Sequence, residues 1–267
     1  MSLKAKKNTL EVRKAGIMKH FFSIIGGMGT IATESYVRMI NHRIKITKDQ
    51  DYLNYILVND AQVPDRTAYI KDPSKPNFFT ALREDVLQQA QLKPKPDFLV
   101  MPCNTAHYCY DDLAKLTDIP FLHMMRIAVH KFITDYPQEK KIGLIATEGS
   151  IYDHLYEDEI KEVGREVELG GPEIQPMVTE LIYSNIKEKG VVDGELYHHI
   201  LRTMHDKYGC NVILLGCTEL SLAQEKAPDH PYNVIDPQVI LADVAIELEL
   251  KIRARMDPKA AIKKYMY

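Results

Sequence analysis

Short apolar runs alternate along this chain with longer segments in which apolar residues recur every three or four positions. The short runs are typical of buried strands, and the longer periodicity is typical of amphipathic helices. The runs that we assign as strands are His20–Ile25, Tyr55–Val58, Phe98–Met101, Ile142–Ala146, Asn211–Leu215 and Asn233–Ile235. Because strands and helices alternate throughout, we predict an α/β fold with mainly parallel sheets.

The second half of the chain repeats the pattern of the first. The strand Phe21–Ile25 corresponds to Ile142–Ala146, and the strand end at Cys103 corresponds to the one at Cys217, about 120 and 114 residues later. We therefore predict two pseudo-symmetric lobes with a ligand in the cleft between them, at the carboxyl ends of the strands. The expected division is residues 18–122 plus 231–267 for the first lobe and 123–230 for the second, with 1–17 as a disordered leader or an added segment.

The charge and composition of the chain argue against several classes of function. The chain has 267 residues, a formal net charge of −3 and four cysteines. Outside the basic leader no cluster of Lys and Arg interleaves with aromatic residues, which argues against nucleic acid as a partner. No run of about 18 apolar residues occurs, so no membrane span is expected. The few cysteines and the absence of a signal peptide predict reduced thiols in the cytoplasm.

Two of the cysteines occupy equivalent places. Cys103 follows an apolar strand and precedes Asn104, Thr105 and a helical pattern, and Cys217 follows an apolar strand and precedes Thr218 and a helical pattern. A thiol at such a junction lies near the positive end of a helix dipole, which binds anions and lowers a thiol pKa. We therefore treat this pair of thiols as the main candidate for chemistry.

Three accounts of these thiols are open. They could be small apolar packing residues, although two at matching junctions make that reading weaker. They are poor zinc ligands, because their spacings to Cys109 and Cys210 do not match the usual motif. A cysteine hydrolase would need a histidine base, for which His107, His123 and His205 are available, but it needs only one thiol. Two symmetric thiols suit a reaction in which one removes a proton from carbon and the other returns a proton to the opposite face.

Two further segments carry candidate site residues. Gly26–Gly29, with Met28, is a glycine-rich turn after the first strand, which lets the backbone approach a ligand closely. It lacks the third glycine and the acidic partner of a dinucleotide site. Pro64–Thr67 follows the second strand and contains Arg66. An arginine at that place is well positioned to bind a carboxylate in bidentate fashion.

Together these segments resemble the aspartate/glutamate racemase superfamily, and within it the aspartate racemase branch. The resemblance covers about residues 18 to 250 and depends mainly on the paired cysteine motifs. Glutamate racemases usually carry histidine where this chain has Glu219. The motifs that carry the resemblance are Gly26–Gly29, Pro64–Thr67, Met101–His107, Tyr183–Lys187 and Gly216–Leu220.

The resemblance implies an enzyme without a cofactor or metal, often a homodimer, in which Cys103 and Cys217 act as paired acid and base. It implies that the α-carboxylate of the substrate is held by Asn104, Thr105 and Thr218. It further implies that Arg66 and Lys187 bind a side-chain carboxylate, with Met28 beside the substrate. On sequence alone, a lysine such as Lys187 near a helix end usually faces solvent.

The function that follows is the interconversion of L- and D-aspartate, and of glutamate as a second substrate. Arg66 and Lys187 favour a dicarboxylic amino acid over the maleate, hydantoins or arylmalonates used elsewhere in the superfamily. A non-catalytic dicarboxylate-binding protein with the same two lobes is the alternative from another class. Arg126, three residues after His123, departs from the family pattern and either faces the cleft or pairs with an acid outside it.

Overall fold

Two parallel sheets organise the chain in the computed structural model, which describes residues 18–265. The first sheet has the order β2-β1-β3, and the second has the order β5-β4-β6-β7. Every pairing between these strands is parallel, which confirms the predicted α/β class. The leader at 1–17 lies outside the described residues. The strands are β1 (Phe22–Gly26), β2 (Tyr55–Asn59), β3 (Leu99–Val100), β4 (Lys141–Ala146), β5 (Glu166–Glu168), β6 (Val212–Gly216) and β7 (Asn233–Ile235).

Helices connect the strands and cover the sheets. Those in the first half are α1 (Thr30–Arg43), α2 (Arg66–Lys71), α3 (Phe78–Ala90), α4 (Tyr110–Ala114) and α5 (Met124–Asp135). Those in the second half are α6 (Glu148–Tyr152), α7 (Leu155–Glu162), α8 (Ile174–Thr179), α9 (Gly194–Asp206), α10 (Thr218–Lys226), α11 (Pro237–Arg253) and α12 (Pro258–Ile262). Short 3₁₀ turns span Asp49–Asp51, Thr105–Cys109 and Lys263–Tyr265, and Glu180–Glu188 is a π-helix. No helix in residues 18–265 is long and apolar enough to cross a membrane.

Local sequence explains several of the helix starts. The Asn77 side chain accepts a hydrogen bond from the Phe79 amide and caps α3. Asp236 caps α11 and is followed by Pro237 at the first helical position, as the sequence predicts. The central strands β1 and β6 are buried along their whole length. This is expected of parallel strands with helices on both faces.

The two sheets form the centres of two lobes, which are linked by α5. Met124 and Ile127 pack in the core of the first sheet, whereas Val129 and Phe132 on the same helix pack in the core of the second. The helix α11 packs against the first core. One strand lies elsewhere than expected: β7 pairs with β6 in the second sheet, although we expected the chain from 231 onward to complete the first lobe.

Other local differences from the sequence prediction have simple causes. The charged three-residue strand β5 carries too little apolar pattern to be recognised from sequence. The apolar run Ile119–Leu122 also predicts a short strand, but only Phe121 of this run pairs, in an isolated bridge to Leu99. The segment after Cys103 begins as a 3₁₀ turn, because the His107 amide bonds back three residues to the Asn104 carbonyl. The first thiol therefore does not stand directly at the start of a regular α-helix.

Candidate active site

The carboxyl ends of the strands from both sheets meet around one cavity. Loops after β1, β2 and β3 contribute from the first lobe, and loops after β4 and β6 contribute from the second. Every site residue predicted from the sequence lines this cavity. The lining residues are Met28, Asp65, Arg66, Thr67, Cys103, Asn104, Thr105, Thr147, Tyr183, Lys187, Cys217, Thr218 and Glu219.

The cavity is closed in this structure. Its volume of ≈ 10 Å³ is about what one water molecule needs. A larger pocket of ≈ 410 Å³ lies beside it and is lined by the glycine turn and by the start of α1. Four residues line both spaces: Asp65, Arg66, Lys187 and Glu219. These four side chains therefore form the boundary between an outer pocket and an inner cavity that contains the thiols.

The second thiol is part of a buried charged group. Cys217 is 5% exposed, and its Sγ donates a hydrogen bond to Oε2 of Glu219 at 2.9 Å. The other carboxylate oxygen of Glu219, Oε1, lies 2.5 Å from Nζ of Lys187. Burial and the charge of Glu219 raise the pKa of the Cys217 thiol well above its ordinary value. The sequence argument predicted a lowered thiol pKa, which is wrong for Cys217, because burial and an adjacent carboxylate outweigh the helix dipole.

The ion pair beside this thiol is charged in the closed structure. Burial alone would raise the pKa of Glu219, but Lys187 and the Cys217 thiol hold that pKa below its ordinary value. Burial opposes the charge on Lys187, yet the neighbouring carboxylate raises the lysine pKa. The proton in the hydrogen bond between Cys217 and Glu219 therefore lies on the sulphur of Cys217.

The first thiol has a different setting. Nδ1 of His107 lies 2.8 Å from the Cys103 carbonyl, and the Met124 amide donates to Nε2 of the same ring at 3.1 Å. Nε2 is thus an acceptor, so the ring is neutral and donates from Nδ1. Burial lowers the pKa of His107 to about 4. The ring orients the backbone at Cys103 and is not free to act as a base.

The other histidines do not supply a base either. Burial lowers the pKa of His123 to about 2, and its Nδ1 accepts a hydrogen bond from the Arg126 amide at 3.2 Å. His205 is exposed and contacts Asp206. Neither ring lines the cavity, which removes the basis for a cysteine hydrolase. Arg126 pairs with Glu159 at 2.9 Å and does not line the cavity.

Arg66 is fixed before any ligand arrives. It is the first residue of α2, which is capped by the Asp65 side chain. Nη1 donates to the carbonyls of Val63 and Pro64 at 3.2 and 3.0 Å, and Nη2 donates to the carbonyl of Met28 at 3.3 Å. Nε is buried without a hydrogen-bond partner. Three of the five N–H donors of the guanidinium are therefore held by backbone carbonyls, one of them that of Met28, and the buried Nε–H remains unused.

Polar side chains join the two lobes across the cavity. The hydroxyl oxygens of Thr105 and Thr147 lie 2.9 Å apart, and Ser150 lies within hydrogen-bond distance of both. Tyr156 donates to the carbonyl oxygen of the Asn104 side chain, whose Nδ2 has no partner. These contacts hold the cleft closed and leave the Asn104 amide as a free donor.

Five cavity residues were not assigned a role from the sequence: Asp65, Thr67, Thr147, Tyr183 and Glu219. Glu219 was noted only as a departure from glutamate racemases, yet its carboxylate contacts both Cys217 and Lys187. Thr147 follows β4 at the position that matches the strand end before the glycine turn. Tyr183 donates a hydrogen bond to Thr67 at 2.9 Å from the π-helix. For Thr147 the strand repeat was an available signal.

Comparisons with known proteins agree with this architecture. The model of the Asp/Glu/hydantoin racemase family matches residues 25–245. The broad specificity amino-acid racemase RacX of Bacillus subtilis is 25% identical over 241 residues, which cover 85% of this chain and 97% of RacX. The aspartate racemase of Picrophilus torridus has a TM-score of 0.70 at 20% identity, covering 91% of this chain and 98% of that one.

A second solved structure has the same fold. The aspartate racemase homologue of Pyrococcus horikoshii superposes with a TM-score of 0.67 at 20% identity, over 87% of this chain and the whole of that one, 100%. The family match spans most of the chain and contains every strand except the first three residues of β1. The chain belongs to the Asp/Glu/hydantoin racemase family, and the enzyme class that this membership supports is a racemase, an isomerase.

Proposed function

We propose that this protein is a racemase that interconverts L- and D-aspartate without a cofactor, and that accepts glutamate as a second substrate. One observation carries the proposal: Cys103 and Cys217, at matching strand ends, line one closed cavity together with Arg66 and Lys187. The thiols supply an acid and a base, and the two cations match a substrate with a carboxylate at each end. The names of the relatives, one a broad specificity amino-acid racemase and one an aspartate racemase, support this choice.

In this mechanism one thiolate removes the α-proton and the opposite thiol protonates the other face of the α-carbon. The α-carboxylate is held by the Asn104 amide and by the hydroxyls of Thr105 and Thr218. These donors stabilise the negative charge that spreads onto the carboxylate as the proton leaves. Thr218 begins α10, whose N-terminal amides add to this field. Closure excludes water and strengthens each of these interactions.

The absence of a cofactor requirement is the first prediction. Protein dialysed against a metal chelator and free of pyridoxal phosphate absorbance is expected to convert L-aspartate into D-aspartate. Chiral chromatography of the reaction mixture measures the product. A rate that appears only after a metal or an organic cofactor is restored would contradict the proposal.

Closure of the cleft gives a second prediction, at Gly149. A Cβ on Gly149 would lie 2.8 Å from the Cα of Thr67, so Gly149→Ala pushes α6 away from α2. Alanine favours the helix over glycine by about 1 kcal/mol, but the contact with the Thr67 backbone costs about 1–3 kcal/mol, so thermal stability is expected to fall slightly. We expect kcat/KM to fall roughly 10- to 100-fold, because small displacements of catalytic groups are costly.

The matched control for this variant is Tyr152→Ala. Tyr152 lies on the same helix and is 62% exposed, away from the cavity. It is expected to keep the parental kcat/KM. Parental kinetics in Gly149→Ala would show that the close approach of α2 and α6 is not needed for catalysis.

We extend the proposal to a homodimer, as the resemblance implies, and to a location in the cytoplasm, as the cysteine usage predicts. All four cysteines of the chain are free thiols, which fits a reducing compartment. Sedimentation equilibrium measures the assembly, and a monomer at micromolar concentration would contradict a stable dimer.

A further inference from the structure

In the closed structure, a carboxylate of the protein already occupies the place on Lys187 that we propose for a carboxylate of the substrate. Oε1 of Glu219 lies 2.5 Å from Nζ of Lys187, and the Glu219 side chain is 3% exposed. A substrate carboxylate that binds Lys187 must therefore compete with a carboxylate of the protein. Arg66 differs, because its partners are backbone carbonyls, which carry no negative charge.

The position of Glu219 also places it in the path of entry. Glu219 and Lys187 line both the outer pocket and the inner cavity. The glycine turn leaves room for the carboxylate: a Cβ on Gly29 would lie 2.6 Å from Oε1 of Glu219. Gly29 has a φ of 113°, a conformation that favours glycine. The ion pair thus lies at the boundary between the outer pocket and the inner cavity.

Glu219 is also linked to the chemistry through its second oxygen. Sγ of Cys217 donates to Oε2 at 2.9 Å, so thiol and carboxylate share one proton. The ammonium of Lys187 contacts Glu219 directly, so it stabilises the negative charge on this carboxylate more than that of a Cys217 thiolate and keeps the proton on sulphur. A buried carboxylate that loses its cationic partner takes up a proton more readily. Removal of Lys187 from this group therefore shifts the shared proton towards oxygen.

We propose that Glu219 occupies the place of the substrate's distal carboxylate on Lys187, and that a dicarboxylate which takes this place activates Cys217. The inference extends the proposed function, since it requires that Lys187 bind the distal carboxylate. In the activating step the S–H bond of Cys217 breaks, an O–H bond forms at Oε2 of Glu219, and the sulphur becomes a thiolate. The negative charge moves from oxygen to sulphur, and no other reactant takes part.

This arrangement makes Glu219 a determinant of specificity. An amino acid without a distal carboxylate offers nothing to Lys187, so the Lys187–Glu219 pair persists and Cys217 stays protonated. A dicarboxylic substrate, by contrast, displaces Glu219 from Lys187. This one contact opens the inner cavity and generates the Cys217 thiolate that acts as the base. Activation is thereby confined to ligands that Arg66 and Lys187 can both bind.

The test measures the Cys217 thiolate directly, in a Cys103→Ser variant. Succinate is the probe, because it has two carboxylates and no amino group, and butyrate is the matched monocarboxylate. At mildly alkaline pH succinate is expected to raise the thiolate-to-thiol ratio roughly tenfold or more, as seen in the ultraviolet absorbance of the thiolate. Butyrate is expected to leave it unchanged. Burial raises the pKa of Cys109 to about 12 and that of Cys210 to about 11, so neither contributes.

Two further variants complete the experiment. Glu219→Gln in the same background cannot accept the proton and is expected to lose the response to succinate. Glu225→Gln, on the same helix but paired with Arg38 outside the cavity, is expected to retain it. Circular dichroism checks that both variants are folded.

Several results would overturn the inference. These are no binding of succinate by calorimetry, binding without a rise in thiolate, an equal rise with butyrate, or a full response in Glu219→Gln. None of these measurements depends on turnover. A failure of the proposed function would instead appear as the absence of aspartate racemisation by the unsubstituted protein, whatever the thiolate response.

Discussion

Replacing either Cys103 or Cys217 by serine is expected to abolish net racemisation of aspartate while leaving one half of the chemistry intact. Each thiol addresses one face of the α-carbon, so each enantiomer presents its α-hydrogen to one thiol only. Loss of a positioned acid or base costs roughly 10²- to 10⁴-fold in rate. The remaining thiol can still exchange the α-hydrogen of one enantiomer with solvent.

The two variants are therefore expected to be complementary. In deuterated water one should label L-aspartate and the other D-aspartate, as followed by proton NMR. Cys109→Ser is the matched control, because Cys109 is a buried thiol of the same segment that does not line the cavity. Exchange of both enantiomers by a single variant would favour a one-base mechanism. Full racemisation without one of the thiols would show that this thiol only packs.

The pH profile follows from the same division of roles. One thiol must be charged and the other neutral, so kcat/KM for aspartate should be bell-shaped. The pKa of Cys217 is raised by burial and by Glu219, so this thiol stays protonated at pH values where an ordinary thiol would ionise. The loss of activity on the alkaline side is accordingly expected above the ordinary thiol range. The free enzyme sets this limit, since kcat/KM reports the unliganded state.

The second large effect on activity is expected from substitution of the two cationic side chains, Arg66 and Lys187. Arg66→Ala and Lys187→Ala each remove a charged partner of the distal carboxylate. Each substitution is expected to lower kcat/KM for aspartate by an amount that corresponds to about 2–5 kcal/mol of lost transition-state stabilisation. Arg66→Lys should also fail, because an ammonium cannot reproduce the donors that the guanidinium directs at three carbonyls and at the ligand. Steady-state kinetics in both directions measures these effects.

Lys189→Ala is the control for the lysine variant. Lys189 lies two residues further along the chain, is exposed and contacts Asn185. It should keep the parental kcat/KM. A cation variant with parental kinetics on aspartate would remove that residue from the proposed recognition of the substrate.

Much of this site could be predicted from sequence because many of its residues directly follow the ends of strands. An apolar run that stops at Pro102 and continues with Cys103 and Asn104 places those side chains at the edge of a parallel sheet whatever the helices around it do. The repeat at Cys217 then predicts two such edges in one cleft. The family resemblance, and not periodicity, indicated Lys187.

What the sequence could not predict depends on tertiary contacts. Glu219 is visible two residues after Cys217, but its contact with Lys187 joins positions far apart in the chain. Burial of Cys217 and the adjacent charge of Glu219 reverse the expected shift in the Cys217 pKa. The short strand β7 carries no signal for its partner, so its pairing with β6 was missed. The π-helix that contains Tyr183 and Lys187 also has no simple sequence pattern.

The most direct test of the central claim is proton NMR of L-aspartate with the unsubstituted protein in deuterated water. The two-thiol account predicts that the α-proton signal of L-aspartate disappears while D-aspartate carrying deuterium at the α-carbon accumulates, with no cofactor added. Binding of aspartate with the α-proton retained and no D-aspartate formed would contradict it, and would indicate a dicarboxylate-binding protein instead.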